Sequence, residues 1–153
     1  FGSEEVGDLR VSSSQLKSCK VEASLIPNLI DELPILFIAS SFATGDSEFF
    51  GVEELRHKES DRLLAMQSGL KNIEIETIYN SGKLTIEGKG GDYLIDSGTV
   101  DSFKDHRIAM AFIIAGLRSK KNLVVKNTDC IKTSFPEFSY LLDSLGAKIN
   151  EIQ

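Results

Sequence analysis

The chain has 153 residues, 41% of them apolar and 26% charged, which fits one globular domain of ordinary size. Its formal net charge of −6 argues against a general nucleic-acid or anionic-membrane surface, while leaving room for a local basic pocket. No apolar run has the length of a membrane span, no signal peptide is visible, and the two cysteines, Cys19 and Cys130, stand in no metal or redox spacing, so a cytoplasmic protein with free thiols is expected.

Phe1 stands where a methionine would start a chain, as expected of a piece of a longer or processed polypeptide. "DLRV" (8–11) alternates and predicts a short strand, and the Ser-rich stretch after it has no clear assignment. "LIDELPILFIASSFATG" predicts a helix capped by Asp31, with Pro34 in its first turn and Gly45 at its end. "SEFFG" predicts a strand, and "KESDRLLAMQSGLKNI" an amphipathic helix with Leu63, Met66 and Leu70 on one side. "IEIETIY", the turn "NSGK" and "LTIEG" predict a β-hairpin. After the loop "GKGGD", "YLID" is a further candidate strand. "DHRIAMAFIIAGL" predicts a helix capped by Asp105, "NLVVK" a strand, "TSFPEFSYLLDSLG" a helix, and "AKINEI" a last strand.

This order repeats. Asp31 to Phe49 and Asp105 to Leu123 both span 18 residues, and Leu63, Met66 and Leu70 recur 75 residues later as Phe138, Leu141 and Leu145. The spacing predicts an α/β chain with two copies of a helix–strand–helix–strand unit sharing one core.

Cations crowd two of the three main helix starts. The second start reads His57, Lys58, Glu59, Ser60, Asp61, Arg62, and the third Asp105, His106, Arg107. A cation against the positive end of a helix costs about 0.3–1 kcal/mol. A bound anion removes that cost and uses the unpaired backbone N–H groups. Arg62 and Arg107 have the fork to grip a phosphate or carboxylate, Lys58 adds a point charge, and Asp31, Glu59 and Asp105 can exchange protons beside them. The plainer alternative makes Asp31 and Asp105 simple caps and pairs Arg62 with Glu59 or Asp61. Residue types and spacing thus point to an anion site and leave the reaction open.

"LIDELPILFIAS", "EELRHKESDRL", "DHRIAMAF" and "TSFPEF…LLDSLGAKI" closely resemble the C-terminal part of the 5-enolpyruvylshikimate-3-phosphate synthase family, over about Asp8 to Ile149. The resemblance implies repeated βαβαββ units of an inverse α/β prism domain, about two of them within 1–153, with helices inside and sheets outside. It implies transfer of the enolpyruvyl group of phosphoenolpyruvate to the 5-hydroxyl of shikimate 3-phosphate with release of phosphate, in aromatic amino acid biosynthesis, without metal or organic cofactor. It makes Asp31 the group on the shikimate hydroxyl and its proton acceptor, Lys58 the lysine between both substrates, and Glu59 the acid handling the methylene proton. It places Arg62 and Arg107 on phosphoenolpyruvate, with His106 in support.

The sequence departs from that pattern at Thr133, where some family members carry lysine, so neighbouring Lys132 receives no role. The threonine form resembles a subgroup known for glyphosate tolerance, but the residues that set tolerance lie elsewhere in the family's enzyme. The larger departure is length. Residues 1–153 correspond to roughly a third of the family's enzyme, whose N-terminal domain supplies the other wall of the active-site cleft. The expected partners are therefore the two substrates and that N-terminal domain, with no nucleic acid and no membrane. A non-catalytic anion- or partner-binding fragment, and one domain of a multifunctional shikimate-pathway protein, are the alternatives.

Overall fold

A computed structural model describes residues 6–152. The chain folds in two successive copies of one pattern, as the spacing predicts. In copy one, strand β1 (Lys20–Val21) leads through the single-turn helix α1 (Ile26–Leu29) to helix α2 (Leu33–Ser41) and strand β2 (Ser47–Phe50). A 3-10 turn over Val52–His57 precedes helix α3 (Arg62–Asn72), and the hairpin β3 (Thr77–Asn80) and β4 (Lys83–Ile86) closes the copy. In copy two, strand β5 (Gly98–Asp101) leads to helix α4 (His106–Gly116) and strand β6 (Leu123–Lys126). A 3-10 turn over Thr128–Cys130, the short helix α5 (Ile131–Ser134) and helix α6 (Phe138–Ser144) follow.

Both copies pair their first two strands in parallel, β1 with β2 and β5 with β6. Both also leave the second strand through a left-handed residue, Gly51 in copy one and Asn127 in copy two. Glycine suits the first position doubly, because a Cβ there meets the Ala23 Cβ at 2.8 Å. Copy one then builds a four-stranded sheet in the order β1-β2-β4-β3, whereas the sheet of copy two stops at β5-β6.

Helices α2, α3 and α4 lie together at the centre. Helix α2 is apolar nearly all round, the mark of a core helix, and it buries Leu33, Phe37 and Ile38. Leu63, Met66 and Leu70 of α3 and Ile108 and Phe112 of α4 join the same core, with Phe49, Leu84, Ile86 and Val100 from the sheets. The sheet strands of copy one alternate, Phe49, Leu84 and Ile86 turning inward and Glu48, Lys83 and Thr85 lying less buried. Helix α3 of copy one packs on β5 of copy two, so the copies interlock. The contact is close at Gly69, where a Cβ meets the Phe112 ring at 2.3 Å. Among the described residues no single helix is long and apolar enough to cross a membrane.

Several expected elements change on folding. "DLRV" forms no strand: among the described residues nothing pairs with it, and Leu9 and Val11 point into solvent. "YLID" makes only a single bridge, Ile95 to Ser119, while the next residues, Gly98–Asp101, form the true strand β5. The helix ending expected at Gly45 comes earlier, at Ser41, and Gly45 instead makes the left-handed turn into β2. The last helix begins at Phe138 rather than Thr133, since the residue before Pro136 is pushed out of helical geometry, with Phe135 at φ −149° and ψ 76°. "AKINEI" is not a strand.

Candidate active site

Three segments meet where the copies join: the turn between α1 and α2, the approach to α3, and the start of α4. Arg62 is the centre. Its guanidinium is fully buried and bonds three carboxylates from three places in the chain. Nε donates to Asp105 Oδ2 at 2.8 Å, Nη1 to Asp31 Oδ1 at 2.9 Å, and Nη2 to Glu59 Oε2 in a short contact. Burial works against the Arg62 charge, but the bonds to Asp105 and Asp31 outweigh it and hold its pKa above the usual value. A guanidinium carries five N–H donors, so two remain beyond these three bonds.

Asp105 is equally buried and does several jobs at once. Its Oδ1 caps α4 by accepting from the backbone N–H of Arg107 at 3.0 Å and of Ile108 at 3.5 Å. Its Oδ2 accepts from Arg62 and from the Ser60 hydroxyl at 3.1 Å. Phe103 and Lys104, both left-handed at φ 54° and 62°, bend the chain so that Asp105 faces inward. The Phe103 N–H bonds Asp101 Oδ1 at 2.7 Å and the Lys104 N–H bonds the Ser102 hydroxyl at 3.2 Å, which hold that turn.

Arg107 stands at the edge and is 28% exposed. It donates to the Asp31 carbonyl at 2.9 Å and to Glu32 Oε1 at 3.1 Å, and lies 3.4 Å from Asp31 Oδ2. Asp31 thus sits between two arginines. The Arg62 hydrogen bond first, and then the charges of Arg107, Arg62 and Lys58, hold its carboxyl below the usual aspartate value against a smaller opposing effect of burial. Lys58 reaches Glu54 at 3.0 Å. His106 is half-buried in the first turn of α4, and its ring makes no hydrogen bond among the described residues.

Two expectations are corrected here. Asp31 is no cap: α2 starts after Glu32, without a side-chain cap, and the Asp31 carboxylate turns instead to the buried Arg62 guanidinium, where it pairs with a full positive charge. Lys58 and Glu59 precede α3 rather than opening it, and the capping residue is Asp61, which accepts from the Leu64 N–H at 2.9 Å. Arg62 pairs with Glu59 and not with Asp61, which bonds Arg56 instead. The structure brings Asp31, Glu59, Arg62 and Arg107 into one cluster, with Lys58 near enough for its charge to act on Asp31. It adds two residues without an expected role there, Ser60 and Glu32, and makes Asp105, expected as a cap and proton-exchange group, the buried anchor of Arg62.

The cluster carries alternating charge in a compact space. In this arrangement carboxylates occupy the sites around the cations that an anionic ligand would take. Among the described residues no group of three or more His, Cys, Asp or Glu is placed to hold a metal ion. A shallow surface hollow of about 410 Å³ between α3 and β3 shares no residue with the cluster.

A family model described as EPSP synthase (3-phosphoshikimate 1-carboxyvinyltransferase) matches residues 2–142. The chain is 45% identical over 150 residues to a 3-phosphoshikimate 1-carboxyvinyltransferase of Brucella melitensis, covering 98% of this chain and 33% of that protein. To a protein of the same name from Chelativorans sp. it is 47% identical over the same coverage. A solved EPSP synthase structure from Acinetobacter baumannii superposes with a TM-score of 0.83 at 36% identity, over 92% of this chain and 32% of that one. The chain therefore spans about a third of the length of the relatives it matches, and its mixed helix-and-sheet fold is theirs.

Proposed function

The chain belongs to the EPSP synthase family, and from that premise we propose that residues 1–153 form one wall of an active site that transfers enolpyruvyl from phosphoenolpyruvate to the 5-hydroxyl of shikimate 3-phosphate. The observation that carries the reading is the cluster itself: Lys58, Arg62 and Arg107 gathered with Asp31 and Glu59 where two copies of the fold meet. Two anionic substrates need cations, and a proton taken from a hydroxyl and another given to carbon need one carboxyl group as base and one as acid.

The roles follow from exposure and partners. Arg107 and Lys58 stand at the rim and meet phosphoenolpyruvate first, with His106 beside them. Arg62 reaches the anion once the Asp31 or Glu59 carboxylate swings away, because these two carboxylates hold its Nη1 and Nη2 until then and the guanidinium is buried behind them. That exchange has a chemical consequence. The Arg62 bond is the largest cause of the low Asp31 pKa, so drawing Arg62 toward the substrate makes Asp31 a better proton acceptor. Asp31 then takes the proton of the 5-hydroxyl as its oxygen attacks C2 of phosphoenolpyruvate. Glu59 delivers a proton to the C3 methylene, and the cations stabilise the charge at the neighbouring carboxylate and phosphate. Loss of a C3 proton and of phosphate restores the double bond in the product.

The rest of the cleft comes from polypeptide outside these residues, as an N-terminal domain supplying further substrate contacts, and the site works in the cytoplasm. The chain alone gives no phosphate release from the two substrates. Set into A. baumannii EPSP synthase in place of the matching third, it supports turnover. In that chimera Arg107→Ala and Glu59→Gln each lower kcat/KM by about a hundredfold or more. Full activity of both variants, or turnover by the chain alone, contradicts the reading.

A further inference from the structure

Arg62 and Arg107 meet their partners in different ways. Arg62 gives one bond from each of its three nitrogens. The side chain of Arg107 is held through one nitrogen. Its Nη1 donates to the Asp31 carbonyl at 2.9 Å and to Glu32 Oε1 at 3.1 Å, and these two bonds use both N–H donors of that group. Among the described residues Nε donates to nothing, and Nη2 has only the 3.4 Å ion pair with Asp31 Oδ2, longer than an ordinary hydrogen bond. The Nε–Nη2 edge therefore keeps the paired donors that take a carboxylate or phosphate side-on.

The two acceptors on Nη1 come from adjacent residues in a pinned stretch of main chain. The Glu32 N–H donates to the Leu29 carbonyl at 2.8 Å, and the Glu32 carbonyl accepts from the Leu36 N–H at 3.0 Å. Glu32 stands at the N-cap of α2, yet its side chain caps nothing. A cap accepts from the second or third N–H of its helix, and the second residue here is Pro34, which has none. The carboxylate is left to reach across to Arg107, 75 residues away in copy two. Arg107 is pinned too, its own N–H on Asp105 Oδ1 at 3.0 Å. With main chain fixed on both sides, the arginine side chain is the part that can wander.

We propose that Glu32 is a positioning residue: with the Asp31 carbonyl it holds Nη1, so that the Nε–Nη2 edge of Arg107 is aimed before an anion arrives. That role rests on the reading above, in which Arg107 meets phosphoenolpyruvate. A single bond to the carbonyl is a pivot about which the guanidinium turns. A second bond from the same nitrogen fixes its plane, and a side chain ordered in advance loses less freedom when the ligand binds. The negative charge of Glu32 opposes an incoming anion. Its contribution is therefore the acceptor oxygen and not the charge, and glutamine supplies that oxygen as well.

Nitrogen-15 relaxation of the Arg107 Nε–H bond in the intact chain tests the aim without any ligand. The expected order parameter is above about 0.8 in the unmodified chain and in Glu32→Gln, and below about 0.6 in Glu32→Ala. The Glu32 side chain is 61% exposed, so neither variant disturbs the core. Titration with phosphoenolpyruvate then compares the two uncharged variants. Glu32→Gln is expected to bind about fivefold tighter than Glu32→Ala, the effect of ordering one long side chain in advance. Equal order of Arg107 in all three chains overturns the proposal, and so do equal affinities of the two variants. Binding by none of the three, the unmodified chain included, sinks the reading of a preformed phosphoenolpyruvate site, and the Nε order alone then decides whether Glu32 positions Arg107.

Discussion

Copy one and copy two run through the same sequence of elements, and the same helix position is sealed in one and bare in the other. Leu70 is buried and Leu145 is 83% exposed, although both follow the same apolar spacing and the same helix cap. The apolar pattern of a helix therefore says which face seeks cover and not whether cover is at hand. What separates the copies is one hairpin. What joins them is the ion cluster, in which Arg62 of copy one is held by Asp105 of copy two.

The comparison can be broken first at that joint. Asp105→Ala leaves the buried Arg62 short of a partner and removes the cap of α4, and a loss of about 3–5 kcal/mol in urea unfolding is expected. A loss below about 1 kcal/mol would mean that the joint does not hold the copies together. Next, Leu70→Ala is expected to cost about 2–5 kcal/mol, while Leu145→Ala, at the matching place, stays within about 0.5 kcal/mol. Equal costs in thermal unfolding would erase the distinction between the copies. Gly69→Ala forces a methyl group against Phe112 and Val100 where the copies interlock; overpacking of this kind costs about 1–3 kcal/mol, seen as a lower urea midpoint.

The smallest effect lies in the titration of Asp31. Its folded pKa is depressed, so its contribution to stability is fully present above about 3.9, the unfolded value. That contribution is lost as pH falls through the lower folded value. Carboxyl NMR titration should place Asp31 below ordinary aspartates, and Arg107→Ala should move it partway back up. The return is partial because the bond from Arg62 is the larger cause. An Asp31 that titrates as an ordinary aspartate in the folded chain contradicts the pairing.

Much of the fold was legible because it rests on local chemistry. Asp105 as a cap, the core stripe Leu63, Met66 and Leu70, and the Ser81–Gly82 turn all act within a few residues of themselves. The 18-residue spacing carried the repeat. Strands are legible only where a neighbour exists to pair with them: "AKINEI" and "DLRV" alternate as strands do and find no ladder among the described residues. "GTVD" carries no strand signal of its own, because its glycine and aspartate hide a strand whose place is set by β6. At the site, the charged residues at the helix starts were visible in sequence, but their pairing was not. That Arg62 passes over neighbouring Asp61 for Asp31 and Asp105, 31 and 43 residues away, is a product of the folded core.

We propose that the joint between the copies is a preformed half-site for phosphoenolpyruvate. Its most direct test is a titration of the folded chain with phosphoenolpyruvate, followed by backbone NMR with sulfate as control. Shifts gathered at residues 58–62 and 105–107, larger than those from sulfate and absent in Arg107→Ala, are expected. A folded chain whose signals at these residues do not move, or move as much with sulfate, contradicts it.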